Sequence, residues 1–143
     1  MAVYRGLRET LHPRLNAFVR YAAVNLKKMN IEQLRKFCLA FPGATEDIKW
    51  GADLCFSVGG KMFTVTSADS SDGGVSLKTT PEKFAELTER PGIIPAHYVA
   101  RYHWITIEDL KAVSKTELKD LIRESYQMVF DKLPAKTKKT ITG

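Results

Sequence analysis

The stretch 53–66, DLCFSVGGKMFTVT, does most to fix what this chain can become. Two runs with apolar residues at alternate positions flank Gly59-Gly60. A two-residue primed turn needs positive φ at its centre, which glycine reaches without steric cost. That turn sets Phe56 opposite Phe63, Leu54 opposite Val65 and Val58 opposite Lys61. One face is then apolar except for Lys61 at the tip, while Cys55, Ser57, Met62, Thr64 and Thr66 occupy the other. Turn chemistry and alternation specify the same register, so an antiparallel hairpin is expected.

The flanking sequence adds helices and further strands. Asn30 is placed as an N-cap and Gln33 completes a capping box. Ile31, Leu34, Cys38 and Phe41 form one helical face, which Pro42-Gly43 must end. SADSSDGG (67–74) is a loop by composition. It lacks a phosphate-loop pattern, its two aspartates repel phosphate, and no EF-hand spacing is present. Val75 to Lys78 alternates as a third strand. Thr80-Pro81 opens a short helix carrying Phe84 and Leu87, closed by Pro91-Gly92. Residues 102–108 read as a fourth strand. Ser114 and Glu117 form a capping box for a last helix, whose stripe is Leu118, Leu121, Ile122, Ser125, Val129 and Leu133. Pro134 ends it, and AKTKKTITG follows as a loose, basic tail.

Charge divides the chain into three parts. Of a net +6, residues 1–28 carry +5, residues 132–143 carry +4 and the middle carries −3. The first segment is a basic amphipathic extension, with Leu11, Leu15, Phe18, Val19, Ala22 and Leu26 at helical spacing. The expected domain covers 29–133, and 134–143 form the tail. No apolar run approaches the roughly 18–20 residues that span a bilayer. No apolar segment with a small-residue cleavage site is present either, so the expected location is the cytoplasm.

The chemistry-bearing residues do not converge in sequence. Cys38 and Cys55 form no CxxC motif and sit in apolar patterns, as buried free thiols do. His12, His97 and His103 lack the spacing of a metal site. Glu46-Asp47 and Glu108-Asp109 read as solvated loop charges or helix-start charges. No catalytic residue, metal or cofactor is expected, and no enzymatic role. In a strand, Arg101, His103, Ile105 and Ile107 share the core face, which puts His103 at its rim, partly buried with a hydrogen-bond partner. Trp104 then lies on the opposite face, as a packed cover for the sheet or as a contact surface.

The ordered set Phe41-Pro42-Gly43-Ala44, Lys49-Trp50, Gly60-Lys61-Met62-Phe63, Ser76-Leu77-Lys78, Pro81-Glu82, Pro95-Ala96-His97-Tyr98, His103-Trp104 and Ser125-Tyr126 resembles the YjbR/MmcQ family of small bacterial proteins. The resemblance runs from Met29 to about Leu133. It implies an α+β fold of the CyaY-like type, an antiparallel β-sheet with helices packed against it. It also implies DNA binding through paired β wings. On this sequence the wings point to Lys61 and Lys78, with Lys49 and Arg101 as additions and the tail lysines Lys136, Lys138 and Lys139 as helpers. With a central charge of −3, such binding is expected to be weak and salt-sensitive. The alternative is a protein-interaction or adaptor module using the sheet face near His103 and Trp104.

Overall fold

The computed structural model describes residues 29–49, 53–67, 74–97 and 99–143. The expected leading helix, the centre of the 67–74 loop, Trp50 and Tyr98 lie outside the described residues.

Asn30 opens α1 (Ile31–Leu39) with both halves of the capping box. The Gln33 N–H donates to the Asn30 side chain at 2.8 Å, and the Asn30 N–H donates to the Gln33 side chain at 3.2 Å. The chain then turns at Gly43 (φ +72°) into β1 (Ala44–Lys49). This strand was not expected. Glu46 and Asp47 are strand residues, not loop or helix-start charges. Glu46 accepts two bonds from the Arg35 guanidinium on α1, at 2.6 and 2.9 Å. That hydrogen bonding holds the Glu46 carboxyl below its ordinary value, against the opposing effect of burial.

A depressed carboxyl pKa stabilises the fold above the unfolded value, about 4.3, and the contribution disappears as pH falls through the lower folded value. Glu46→Gln should therefore melt below the parent at neutral pH, with the difference closing in acid. Melting curves across pH 2–7 check this, and a constant difference would contradict it.

The hairpin forms from β2 (Asp53–Val58) and β3 (Lys61–Ser67), with Gly59 and Gly60 at φ +58° and +80°. Val58 faces Lys61 as expected, but the register then slips. Ser57 pairs with Met62 and Phe56 with Thr64, so β3 carries one extra residue, Phe63, in a bulge. The expected pairs Phe56–Phe63 and Leu54–Val65 are replaced by Phe56–Thr64 and Leu54–Thr66. Thr64 and Thr66 consequently lie alongside the core residues, both buried.

β4 (Val75–Lys78), β5 (Ile93–Pro95) and β6 (Trp104–Ile107) complete an antiparallel sheet in the order β1-β2-β3-β4-β6-β5. Thr80 caps α2 (Pro81–Leu87), and the Ser114 hydroxyl caps α3 (Lys115–Asp131) by accepting from the Glu117 N–H. The core joins Phe56, Phe63, Leu77, Ile105 and Ile107 of the sheet to Leu118, Leu121, Ile122 and Tyr126 of α3. Leu34 and Cys38 of α1 complete it. Ion pairs Lys83–Glu124 (3.0 Å) and Arg90–Glu117 (2.8 Å) tie α2 and the turn after it to α3.

Two further expectations change. The fourth strand begins at Trp104, because Ala100–Tyr102 form a 3-10 turn and His103 takes a left-handed conformation (φ 67°, ψ 34°). His103 therefore does not share a strand face with Ile105. Its ring instead meets Phe84 edge-on at 5.6 Å between centroids. The C-terminal residues are not loose: Ala135–Thr142 form α4, and Ile141 seats on Gly43. A Cβ at Gly43 would lie 2.9 Å from Ile141 Cγ2, so this approach requires glycine.

Candidate nucleic-acid interface

A buried serine organises one end of the sheet. The Ser125 hydroxyl donates to the Phe63 carbonyl at 2.6 Å and accepts from the Lys78 N–H at 3.0 Å. It thereby fixes α3 across the ends of β3 and β4. The last turns of α3 follow, bringing Met128, Asp131 and Lys132 to one wall of a cleft. The 3-10 turn and His103 line it as well. The position of the turn is set by Thr79, whose N–H and hydroxyl both donate to the His103 carbonyl at 2.8 Å. Arg101 and Tyr102 project from this anchored turn, and Thr80 and Pro81 complete a cleft of about 550 Å³.

Three cations line it. Burial disfavours the charged form of Lys78, and the Lys132 ammonium adds to that, so the pKa of Lys78 falls below the ordinary lysine value. None of the ion pairs between described residues involves Lys78, Arg101 or Lys132. The carboxylate of the cleft, Asp131, accepts from the Gln127 side-chain amide at 2.7 Å. Two neighbouring ammoniums and a guanidinium outnumber the single carboxylate Asp131, so the cleft keeps a positive excess, which suits a phosphate.

The residues named from sequence divide according to the two ends of the sheet. Lys78 and Arg101 share the cleft. Lys61 is exposed at the hairpin tip on the same end, because β3 and β4 run antiparallel with Thr64 facing Leu77. The tip itself rests on Leu133, the residue after Lys132: a Cβ at Gly59 would lie 2.7 Å from Leu133 Cδ1. Lys136, Lys138 and Lys139 stand on α4, with the Lys138 ammonium 6.0 Å from the centre of the Phe130 ring. Lys49 is separate. It pairs with Asp53 at the far end of β1, five residues from the Ala44–Val58 pair, or about 17 Å at strand rise. Lys132 was missed as a site residue because it counted only toward the charge of the chain end. The helical stripe running from Ser114 to Leu133 was the signal that could have placed it.

Trp104 is 8% exposed, so its ring packs, while His103 beside it is half-buried. Cys38 and Cys55 are free and buried. Burial pushes the Cys38 thiol up to about 12 and raises Cys55 as well, the latter opposed by Lys49, so both remain protonated at neutral pH. Among the described residues no group of three His, Cys, Asp or Glu side chains is placed to hold a metal ion. No described helix is long and apolar enough to cross a membrane.

Fold and cleft define a small α+β protein with one antiparallel sheet and a basic notch at one sheet end. The YjbR family model matches residues 39–128, and the chain belongs to that family. It is 28% identical to the uncharacterised protein YjbR of Escherichia coli K12 over 117 residues, covering 79% of this chain and 98% of that one. It is 31% identical to the uncharacterised protein YbdF of Escherichia coli O157:H7 over 88 residues, covering 60% of this chain and 71% of that one. In structure it resembles Deinococcus radiodurans protein DR2400, a DUF419 domain, with a TM-score of 0.71, 27% identity, and coverage of 81% and 88% of the two chains. A Pseudomonas syringae protein shares the fold, at a TM-score of 0.59 and 24% identity over 71% of this chain and 99% of that one.

Proposed function

We propose that this protein is a non-enzymatic DNA-binding module that grips phosphates at one end of its sheet. The observation that carries this reading is the meeting of Lys78, Arg101 and Lys132 in one cleft without ion-pair partners among the described residues. Lys61 and the lysines of α4 extend the same basic end. The reading keeps the resemblance's expectation of DNA and moves its centre from the two wing tips to the cleft between β4 and α3. The buried, protonated thiols of Cys38 and Cys55 are poor nucleophiles.

Each phosphate neutralised lowers log K by about 0.9 per unit of log salt. The full chain should bind duplex DNA weakly with a slope on the order of 3–5 by that rule. Lys78→Gln, Arg101→Gln and Lys132→Gln together should reduce the slope by about 3, and Lys49→Gln should leave it unchanged. Fluorescence anisotropy at several salt concentrations reads both. An unchanged slope in the triple variant would remove the cleft from the interface. An adaptor reading would then gain ground, supported by Ile48, which is 52% exposed on the edge strand β1.

A further inference from the structure

We propose that the cleft takes a single-stranded segment of nucleic acid, with a phosphate between the Lys78 and Lys132 ammoniums and a neighbouring base stacked on Tyr102 and Arg101. The inference rests on the cleft being a phosphate site and adds what the rest of the ligand must be.

Shape comes first. The three cations line one concavity of about 550 Å³. That is the size of a small-ligand pocket, which accommodates a nucleotide unit and not the width of a duplex. A duplex can set one backbone phosphate against the three cations, whereas a single strand can also bring the neighbouring base into the concavity.

The second observation is an aromatic ring that packing does not explain. Tyr102 is 49% exposed, one of three large hydrophobic residues left so among those described. The Arg101 guanidinium lies 4.8 Å from the centre of its ring. Ring and guanidinium are both flat groups on which bases stack, and both belong to the turn that Thr79 anchors through the His103 carbonyl. The backbone that carries the platform is therefore fixed before any ligand arrives. In a duplex the bases are already stacked on one another, so only an unpaired base can use it.

The two requirements reinforce each other. Phosphate contacts alone do not distinguish single from double strands beyond their charge density. Base–aromatic stacking does, and it tolerates any base because every base has a flat face. The expected behaviour is single-strand preference with little sequence preference.

The test uses the full chain and a labelled short thymidine oligonucleotide, the same length of abasic strand, and a duplex. Tyr102→Ala should weaken the thymidine strand about tenfold, leave the abasic strand and the duplex unchanged, and Tyr102→Phe should restore the parent affinity. Lys78→Gln with Lys132→Gln should weaken all three ligands. Competition separates the possible sources of the ligand. Displacement by thymidine monophosphate and not by inorganic phosphate supports a nucleotide unit, and equal displacement by both overturns the base contact. If thymidine and abasic strands bind alike and Tyr102→Ala changes neither, the single-strand inference falls while the phosphate site stands. If no strand or duplex binds at low salt, the phosphate reading falls and takes the inference with it.

Discussion

Phe63→Ala is expected to lower the unfolding free energy by about 3–5 kcal/mol. Phe63 is fully buried and makes edge-on contacts with Phe41 and Tyr126, at centroid distances of 5.9 and 5.3 Å. Phe41 in turn stacks on Tyr126 at 4.6 Å, so the three rings form one unit. The bulge inserts Phe63 into β3 as an extra residue, and the two strand-paired neighbours Met62 and Thr64 cannot replace its ring. Truncation removes the transfer energy of a large side chain and leaves a cavity that the sheet cannot close. Against a typical total of about 5–15 kcal/mol, this is a large fraction. Urea titrations of parent and variant read the change, with Phe63→Leu as the partial case. A loss below about 1 kcal/mol would mean that the bulge relaxes and the aromatic unit is not the keystone described.

Ser125→Ala should cost about 1–3 kcal/mol, through polarity and not volume. The hydroxyl is fully buried and serves two backbone groups, accepting from Lys78 and donating to Phe63. Alanine keeps the backbone and most of the packing but leaves the Lys78 N–H without its bond. An unpaired buried donor loses its full hydration. The same bonds hold α3 over the end of β4, so the variant should also lose DNA affinity under conditions where it is folded. Urea titration with amide exchange at Lys78 checks the first part. Faster exchange at Lys78 in the folded state is the expected signature, and unchanged exchange would contradict it.

How much of this was visible in the sequence depends on the residue. The turn at Gly59-Gly60 was legible, because two adjacent glycines between alternating runs leave few other conformations. The register beyond Ser57 was not. Strict alternation puts Thr64 and Thr66 outside, and nothing in their chemistry signals that an extra residue will turn them inward. The caps at Asn30, Thr80 and Ser114 were legible because each places an oxygen three residues before the N–H it accepts from.

Edge elements were harder. β1 carries ATEDIK, in which the apolar Ile48 is exposed and the acidic Glu46 is partly buried against Arg35, so it shows no apolar alternation. α4 has few apolar residues, and its docking depends on the missing side chain of Gly43, 98 residues before Ile141. For the cleft, Lys78 and Arg101 could be named but not brought together. Their meeting needs the left-handed turn at His103, a conformation uncommon for a non-glycine residue and invisible in a strand-like pattern. The length of α3 was legible from its stripe, but that its last turn meets the turn before β6 at Lys132 is a tertiary contact that only the fold supplies.

The proposed phosphate site lies at the end of the sheet between β4 and α3. The most direct measurement is a titration of the isotopically labelled full chain with a short DNA duplex, following backbone amide shifts at low salt. The account predicts that the largest changes fall on Lys78, Thr79, Arg101 to His103 and Lys132, with smaller ones at Lys61 and along α4, and none at Lys49. Changes centred on β1, or spread evenly over the surface lysines, would contradict it.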